Sequence, residues 1–435
     1  MAHPNFPTDN HGWAELLPAR KPCPPLTGSH RFPWVVIGAG LTGLACARRL
    51  AALHPNDEIA LLDARQVAQA ASGRNSGFAM AVSHFTGPFD PAQSTEYKRV
   101  NSINQAGLDV LRNCISDGHI DCQWREEGIY HAAVDTMAVR EHDNFVGYLN
   151  AMEVAHTNLN QDEVSARLGT TFYKCGVHVK MGALVQPAAL VQGLADTLPS
   201  NVHLYEQCPV LEVTGNEPVS LRLNDGEVRA DKVILATNYE CGKLGFQRRQ
   251  ILGSTLAGSF TRVLTEDERR SLGNLSDWGV LSLHGGGATI RLTTDGRISL
   301  RNTAEYHGSV LLSDAELAKR QIIHREVFEK RFPQLSDVPF EFSWSGVEGV
   351  SRNSTNFFGR QQNNIYMAGG YNGSGVSRGT AFGTAMAEYA SGGQSSLITD
   401  CLASAPATWI PPRPFLDVGA FFTVRSRFKG VGLDR

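Results

Sequence analysis

Trp34-Val35-Val36-Ile37-Gly38-Ala39-Gly40-Leu41-Thr42-Gly43-Leu44-Ala45 is the stretch that decides the fold. Its first four residues are apolar and largely β-branched, which predicts a buried strand, and Leu41 to Ala52 predicts a helix. Between them stands G-x-G-x-x-G. Gly38 permits a sharp turn, Gly40 lets the backbone approach a pyrophosphate, and Gly43 lets the helix pack close to the strand. The N-terminus of such a helix offers N–H groups and a positive dipole end to phosphate. Twenty residues after Gly43, a second apolar run, Ile59-Ala60-Leu61-Leu62, ends in Asp63. At that spacing a carboxylate accepts hydrogen bonds from ribose hydroxyls. A tight turn in an unrelated α/β protein accounts for the glycines but leaves Asp63 without a role. The βαβ unit therefore predicts a dinucleotide site.

The length of 435 residues exceeds the roughly 250–300 residues at which a single core stops growing, so two domains are expected. With 19% charged residues and a net charge of −3, the chain lacks the basic stripe that nucleic acid requires. The eight cysteines, Cys23, Cys46, Cys114, Cys122, Cys175, Cys208, Cys241 and Cys401, show no C-x-x-C or metal-ligand spacing. They predict reduced thiols in a cytoplasmic protein, with no metal. The first thirty residues carry no apolar core of signal-peptide length, and no run approaches the ~20 apolar residues of a membrane-spanning helix.

Residues 1–33 are rich in proline and predict an extended arm over the surface, pinned by Trp13 and Leu16-Leu17. After Asp63 comes Ala70-Ala71-Ser72-Gly73-Arg74-Asn75-Ser76-Gly77, too polar for a strand and too rich in glycine for a helix. Helical periodicity follows from about Glu96 to Asp117 and from Thr136 to Glu153, with a strand pair expected between Asp121 and Val134. Gln186-Pro187 opens a helix over Ala188 to Thr197. Strands follow at Val202 to Tyr205, Val210 to Val213 and Leu221 to Leu223. A turn at Asn224-Asp225-Gly226 then leads into Lys232-Val233-Ile234-Leu235-Ala236-Thr237-Asn238. Residues 250–345 hold short strands around a helix from Asp314 to Arg331. The block from Asn364 to Gly392 is a strand, a glycine turn and a long helix of small residues. The predicted class is α/β: a Rossmann-like, glutathione-reductase-like nucleotide domain from segments 34–90, 170–240 and 341–395. Segments 91–169 and 241–340 form a second, α+β, mostly antiparallel substrate domain, and 396–435 is a C-terminal tail.

Four motifs together resemble the D-amino-acid-oxidase-type family of flavoproteins, which includes glycine, sarcosine and γ-glutamylputrescine oxidases. They are the fingerprint with Asp63, Ala71-Ser72-Gly73-Arg74-Asn75-Ser76-Gly77, Val233-Ile234-Leu235-Ala236-Thr237-Asn238, and Met367-Ala368-Gly369-Gly370-Tyr371-Asn372-Gly373-Ser374-Gly375-Val376. The second motif is similar to the γ-glutamylputrescine oxidase branch in particular, and the resemblance spans about Phe32 to Ala390. It implies FAD as cofactor, with the flavin ring at the interface of the two domains. By the same resemblance, Gly38, Gly40, Leu41, Thr42, Gly43, Asp63 and Ala64 hold the adenosine and pyrophosphate, and Val210 offers backbone groups to adenine. Small residues in the Ala71–Gly77 turn admit the pyrophosphate and ribityl chain. Ser72 can donate to phosphate, while Arg74 and Asn75 either fix the turn or reach the flavin edge; Arg74 also reads as a surface loop charge. Thr237-Asn238 ends a buried strand at the edge where open α/β sheets bind ligands. Gly370, Tyr371, Asn372, Gly373, Ser374, Gly375 and Val376 form a turn before a helix whose N–H groups would face the pyrimidine end of the flavin.

Enzymes of this type transfer a hydride from the amine-bearing carbon to flavin N5, so no catalytic base is required. A substrate carboxylate would be clamped by an arginine. Arg352 is the favoured candidate, with Arg301, Arg291 and Arg378 as the others; where relatives have Thr-x-Asp-x-x-Pro, this chain has Ser351-Arg352-Asn353-Ser354-Thr355-Asn356. His84 and His284 are candidates for the flavin face, or structural. No Cys or His lies in a motif that announces covalent flavin attachment. The expected function is FAD-dependent oxidation of a C–N bond in an amine or amino acid, with O2 as acceptor and hydrogen peroxide as product. One alternative is a dehydrogenase passing electrons to a quinone or carrier protein. Another is a flavin-dependent RNA-modifying or RNA-binding protein. The tail Pro414–Lys429, with four phenylalanines and three cations, reads either as folded back on the molecule or as a membrane-surface contact.

Overall fold

The structure is a computed structural model that describes residues 11–85, 87–215, 217–273, 275–429 and 431–434. The quoted stretch is the centre of an eight-stranded sheet. Strand Gly28–Ile37 lies between Gly226–Leu235 and Ile59–Leu62, parallel to both, with Ile37 paired to Leu235 on one side and to Leu62 on the other. Ile365–Gly369 extends the parallel set beyond Gly226–Leu235, and Val202–Tyr205 extends it beyond Ile59–Leu62. Phe357–Gln362 is an antiparallel edge strand. Both faces of this sheet are covered, so its central strands are uninterrupted apolar runs. The strand begins at Gly28, six residues before the predicted start, so the end of the expected arm belongs to the sheet.

Helix Leu41–Leu53 packs on this sheet as the fingerprint predicts: any Cβ at Gly43 would lie 1.7 Å from the carbonyl oxygen of Gly38. Helix Gly375–Ala390 crosses it equally closely, through Gly383 against the carbonyl of Thr42. Helix Ser94–Asp117, expected in the substrate domain, instead lies against this helix, with Gly107 pressed on the Ser377 carbonyl. The Ala71–Arg74 segment, read as non-helical, makes a single helical turn. Between Asp121 and Val134 the described structure holds one strand, Ile129–Ala133, rather than a pair.

The second sheet also has eight strands, in the order Phe340–Val350, Leu252–Thr261, Ile298–Glu305, Thr289–Leu292, Trp278–Ser282, Ile129–Ala133, Cys175–Val179 and His156–Leu159. Its neighbours are antiparallel except where Trp278–Ser282 meets Ile129–Ala133. Cys175–Val179 and most of Phe340–Val350 fall in segments assigned from sequence to the nucleotide domain, yet both strands are part of this sheet. One face packs its apolar residues under helix Asp314–Arg331, with Val280, Ile290, Ile298 and Leu300 against Phe328 and Phe332. The other face looks toward the nucleotide domain.

The N-terminal arm is anchored more deeply than a surface strap. Trp13 is 1% exposed and meets Phe260 edge-on at 4.6 Å. At the other terminus, helix Phe415–Lys429 leaves Phe415, Phe421 and Phe422 59–70% exposed. The residues after it dock: Val431 and Asp434 are buried, and the Asp434 carboxylate pairs with the Arg331 guanidinium and the Ser282 hydroxyl. The Asp434 carbonyl also accepts from the Ala288 N–H at 3.1 Å.

Removing one partner of a buried ion pair costs about 3–5 kcal/mol, because the survivor is left uncompensated. Asp434→Ala is therefore expected to lower the unfolding free energy by about that amount, measured by urea denaturation, while Asp434→Leu combined with Arg331→Met costs much less. An unchanged urea midpoint for Asp434→Ala would show that the chain end does not dock here.

Candidate active site

Because Ile37, Leu62, Leu235 and Met367 are in register, the segments that follow them emerge along one edge of the parallel sheet. Gly38, Asp63, Thr237 and the turn after Gly369 are gathered there, although they lie more than 300 residues apart in sequence. This edge faces the second sheet, and between the two runs a continuous cavity of about 1490 Å³. Roughly 300–1,000 Å³ accommodates a small ligand. The cavity therefore has room for a dinucleotide and a substrate together.

At its nucleotide end the geometry fits an adenine dinucleotide. Ala39 N donates to Asp63 Oδ2 at 2.7 Å and Arg65 N to Oδ1 at 2.8 Å, which fixes the carboxylate with one edge on the cavity. Burial pushes the Asp63 carboxyl up to about 6, against the opposing pull of these two N–H donors. Arg65 forks onto Glu240 at 3.0 and 3.1 Å and closes that end of the cavity. Leu41 N donates to Ser72 Oγ at 3.1 Å, so the serine hydroxyl stands at the helix N-terminus with its own proton available to phosphate. A Cβ at Gly40 would approach that hydroxyl to 2.7 Å. Ala64, Ala71, Thr42, Ser76 and Val210 also line the cavity.

The glycines Gly43, Gly73, Gly77 and Gly370 do not line it. Gly43 and Gly73 sit against neighbouring backbone, as does Gly77, while Gly370 meets the Phe357 ring and holds φ +75°. Arg74 is buried and spans two chain segments, donating to the carbonyls of Gln69 at 2.8 Å and Ser345 at 2.9 Å, while Trp344 Nε1 donates back to the Arg74 carbonyl at 3.2 Å. The surface-charge reading of Arg74 is thus corrected. Asn75 holds its own turn, donating to the Ser72 carbonyl at 2.7 Å and accepting from Gly77 N at 2.9 Å. Asn238 Oδ1 accepts from Gly370 N at 2.9 Å, and Asn372 Oδ1 accepts from Ser351 N at 2.9 Å; both asparagines have positive φ. These bonds shape the Gly370–Gly375 turn, and Tyr371 hydrogen-bonds Thr42 at 2.8 Å. The Thr237 hydroxyl faces the cavity buried and without a protein partner.

On the opposite wall, Thr289, Ser299, Arg301, Trp344 and Gly346 come from the second sheet. Of the four candidate arginines, Arg301 and Arg378 line the cavity and Arg352 and Arg291 do not. Arg352 is exposed to solvent beside the turn. It does not occupy the position expected of a carboxylate clamp. Arg291 is spent on the Val185 carbonyl at 2.6 Å and the face of Trp13. His84 and His284 both reach the cavity, and neither ring nitrogen of His284 has a protein partner. His131, not foreseen from sequence, joins them; its ring lies 6.0 Å from that of His84. Burial lowers both His84 and His131, so both are neutral at physiological pH. Glu348 was also passed over. The strand alternation that puts Trp344 and Gly346 on the cavity side puts Glu348 there as well.

A ribose hydroxyl held by Asp63 would donate to its ionised form, so binding below the carboxyl's own titration would expel a proton. FAD affinity is expected to weaken as pH falls below about 6, approaching about tenfold per pH unit. Asp63→Asn should flatten that dependence and raise Kd about 10–100-fold at neutral pH, as for loss of a charge-assisted bond. Flavin fluorescence titration of the apoprotein measures both, and a Kd that is constant from about pH 5 to 7 in the native chain would reject the ribose assignment.

Comparison with known proteins agrees with this geometry. Gamma-glutamylputrescine oxidoreductase of Escherichia coli (strain K12) is 27% identical over 418 residues, covering 90% of this chain and 92% of that protein. Glycine oxidase from Geobacillus kaustophilus superposes with a TM-score of 0.71 at 17% identity, over 84% of this chain and 96% of its own. L-Amino acid deaminase from Proteus myxofaciens does so with a TM-score of 0.70 at 14% identity, over 89% and 96%. The sequence model of the family described as FAD dependent oxidoreductase, DAO, matches residues 33–389. The chain with this two-sheet cavity belongs to the DAO family of FAD-dependent oxidoreductases.

Proposed function

We propose that the protein oxidises a C–N bond of an amine or amino acid on the second-sheet side of the cavity, with dioxygen as the terminal acceptor. The observation that carries this reading is the continuity of the cavity, from Asp63 and Ser72 at one end to Arg301, Thr289 and Ser299 at the other. Bound FAD supplies a two-electron acceptor for hydride from the amine-bearing carbon. The overall change is amine, water and O2 to carbonyl compound, released amine or ammonia, and hydrogen peroxide. The chain's own part is to position, to exclude water and to set charge. Arg301, which donates to Thr289 Oγ1, is placed to hold a substrate carboxylate. Leu256, Leu281 and Trp344 provide apolar wall. The N-terminus of helix Gly375–Ala390 turns its positive end to the cavity, where developing negative charge is stabilised. All eight cysteines are free thiols, in keeping with a cytoplasmic location.

A second reading is a dehydrogenase that delivers electrons to a membrane carrier. The exposed phenylalanines of helix Phe415–Lys429 favour it; no described helix is long and apolar enough to cross a membrane. Stoichiometric peroxide from an amine in air-saturated buffer supports the oxidase, and turnover only with an added quinone supports the dehydrogenase.

For an amino-acid substrate, Arg301→Met is expected to lower kcat/KM about 10–100-fold more than for the corresponding decarboxylated amine. Arg352→Met should leave both within about twofold, as an exposed side chain does. Equal losses on acid and amine in Arg301→Met would remove Arg301 from the carboxylate site.

A further inference from the structure

Among the described residues, four carboxylates line the cavity: Asp63, Glu96, Glu240 and Glu348. Asp63 and Glu240 stand at the adenosine end, held by the Arg65 backbone and guanidinium. Glu96 belongs to helix Ser94–Asp117 and pairs with Arg99. Glu348 alone of the four rises from the second sheet, on strand Phe340–Val350.

Register fixes what surrounds it. Across Leu252–Thr261, Ser254 faces Glu348, Leu256 faces Gly346, and Gly258 faces both Trp344 and Arg301. Directly opposed residues share a face, so Arg301, Trp344, Gly346 and Glu348 look into the same space. Gly258 and Gly346 leave the sheet bare between the two charges. On the far side, Glu348 Oε2 lies against another bare position: a Cβ built at Gly373 would come within 3.2 Å of it. The carboxylate thus sits beside the turn that opens helix Gly375–Ala390.

We propose that Glu348 recognises a cationic nitrogen of the substrate, so that the enzyme takes an amine carrying a second, positively charged nitrogen. This rests on the amine-oxidising reading above. The nitrogen being oxidised must have its lone pair free to assist hydride departure, and so is neutral; a cation at Glu348 is therefore a different nitrogen. Two chemical sources share this feature, a diamine and a basic amino acid. Arg301 lies two strands over and four residues back along the sheet, which separates the two Cα atoms by roughly 16 Å. Once both side chains reach inward, a substrate with several carbons between its charged ends spans the interval.

The test uses FAD-loaded enzyme and follows flavin absorbance under anaerobic conditions, giving both ligand-induced spectral shifts and reduction rates. The probes are an α,ω-diamine, the amino alcohol of equal length, and a basic amino acid with its neutral ω-hydroxy counterpart. Native enzyme is expected to bind each cationic probe at least about tenfold more tightly than its neutral partner, the yield of a charge-assisted hydrogen bond. Glu348→Gln, near-isosteric and checked for an unchanged FAD content, should erase that preference while leaving the neutral probes within about twofold. A preference confined to the diamine, or to the basic amino acid, identifies the source. Native enzyme that binds cationic and neutral probes alike, or a Glu348→Gln variant that keeps the preference, overturns the proposal. Cation-dependent spectral shifts lost in Glu348→Gln, but without flavin reduction by any probe, would uphold the recognition site and sink the amine-oxidising reading instead.

Discussion

The functional architecture depends on one constraint, the common register of the parallel strands around Trp34–Ile37. Parallel hydrogen bonding forces Ile37, Leu62, Leu235 and Met367 to end together. Gly38, Asp63, Thr237 and the turn after Gly369 leave from that line. The close approach of helix Leu41–Leu53 at Gly43, and of helix Gly375–Ala390 at Gly383, then sets two helix N-termini against the same edge. Shifting any strand by one residue would exchange the side chains it presents to the two covered faces and move its terminal group off the line. The site is thus a consequence of sheet register before it is a property of individual side chains.

The second sheet is joined to this edge by a small number of buried polar contacts. Arg74 donates to the carbonyls of Gln69 and Ser345, and Trp344 returns a hydrogen bond to the Arg74 carbonyl. Trp13, carried in by the N-terminal arm, meets Phe260 on one side and the Arg291 guanidinium on the other. Both guanidinium groups donate to backbone carbonyls, and that of Arg291 also lies over an aromatic face, contacts that supply direction. Burial lowers Arg291 to about 10, which leaves it charged at neutral pH. The two sheets are therefore joined by cations whose partners include backbone carbonyls and a ring, while the cavity carboxylates Glu96 and Glu240 pair with Arg99 and Arg65.

Much of this was legible in the chain. The fingerprint, Asp63, the Asn364–Gly392 block and the helix Asp314–Arg331 rest on local signals: period, caps and glycine turns. Strand membership was less legible. Cys175–Val179 falls in a segment assigned whole to the nucleotide domain, and so short a stretch carries no record of its neighbour strand. Helix Ser94–Asp117 has an amphipathic pattern that names a buried face without naming what buries it. Trp13 reads as a surface anchor because the groups that meet its ring, Phe260 and Arg291, lie more than 240 residues away.

The four arginines show where sequence reading stops and facing begins. Each is a guanidinium near a glycine-rich turn or in a strand, and composition treats them alike. Arg291 and Arg301 are separated by a single hairpin, yet the first donates to Val185 and the second opens on the cavity. Arg378 is buried among Asn104 and Ser83, on the helix side of the cavity and away from the second sheet. Arg352 follows the end of strand Phe340–Val350, where alternation lapses and the chain turns to solvent. Four residues earlier, still within the strand, Glu348 is held to the cavity face by the same alternation that places Trp344 and Gly346. Charge in a motif attracts attention to the arginine; strand parity gives the wall to the glutamate. An even step from Trp344 therefore brings the Glu348 carboxylate to the face that also carries the Arg301 guanidinium, so the wall presents both signs of charge.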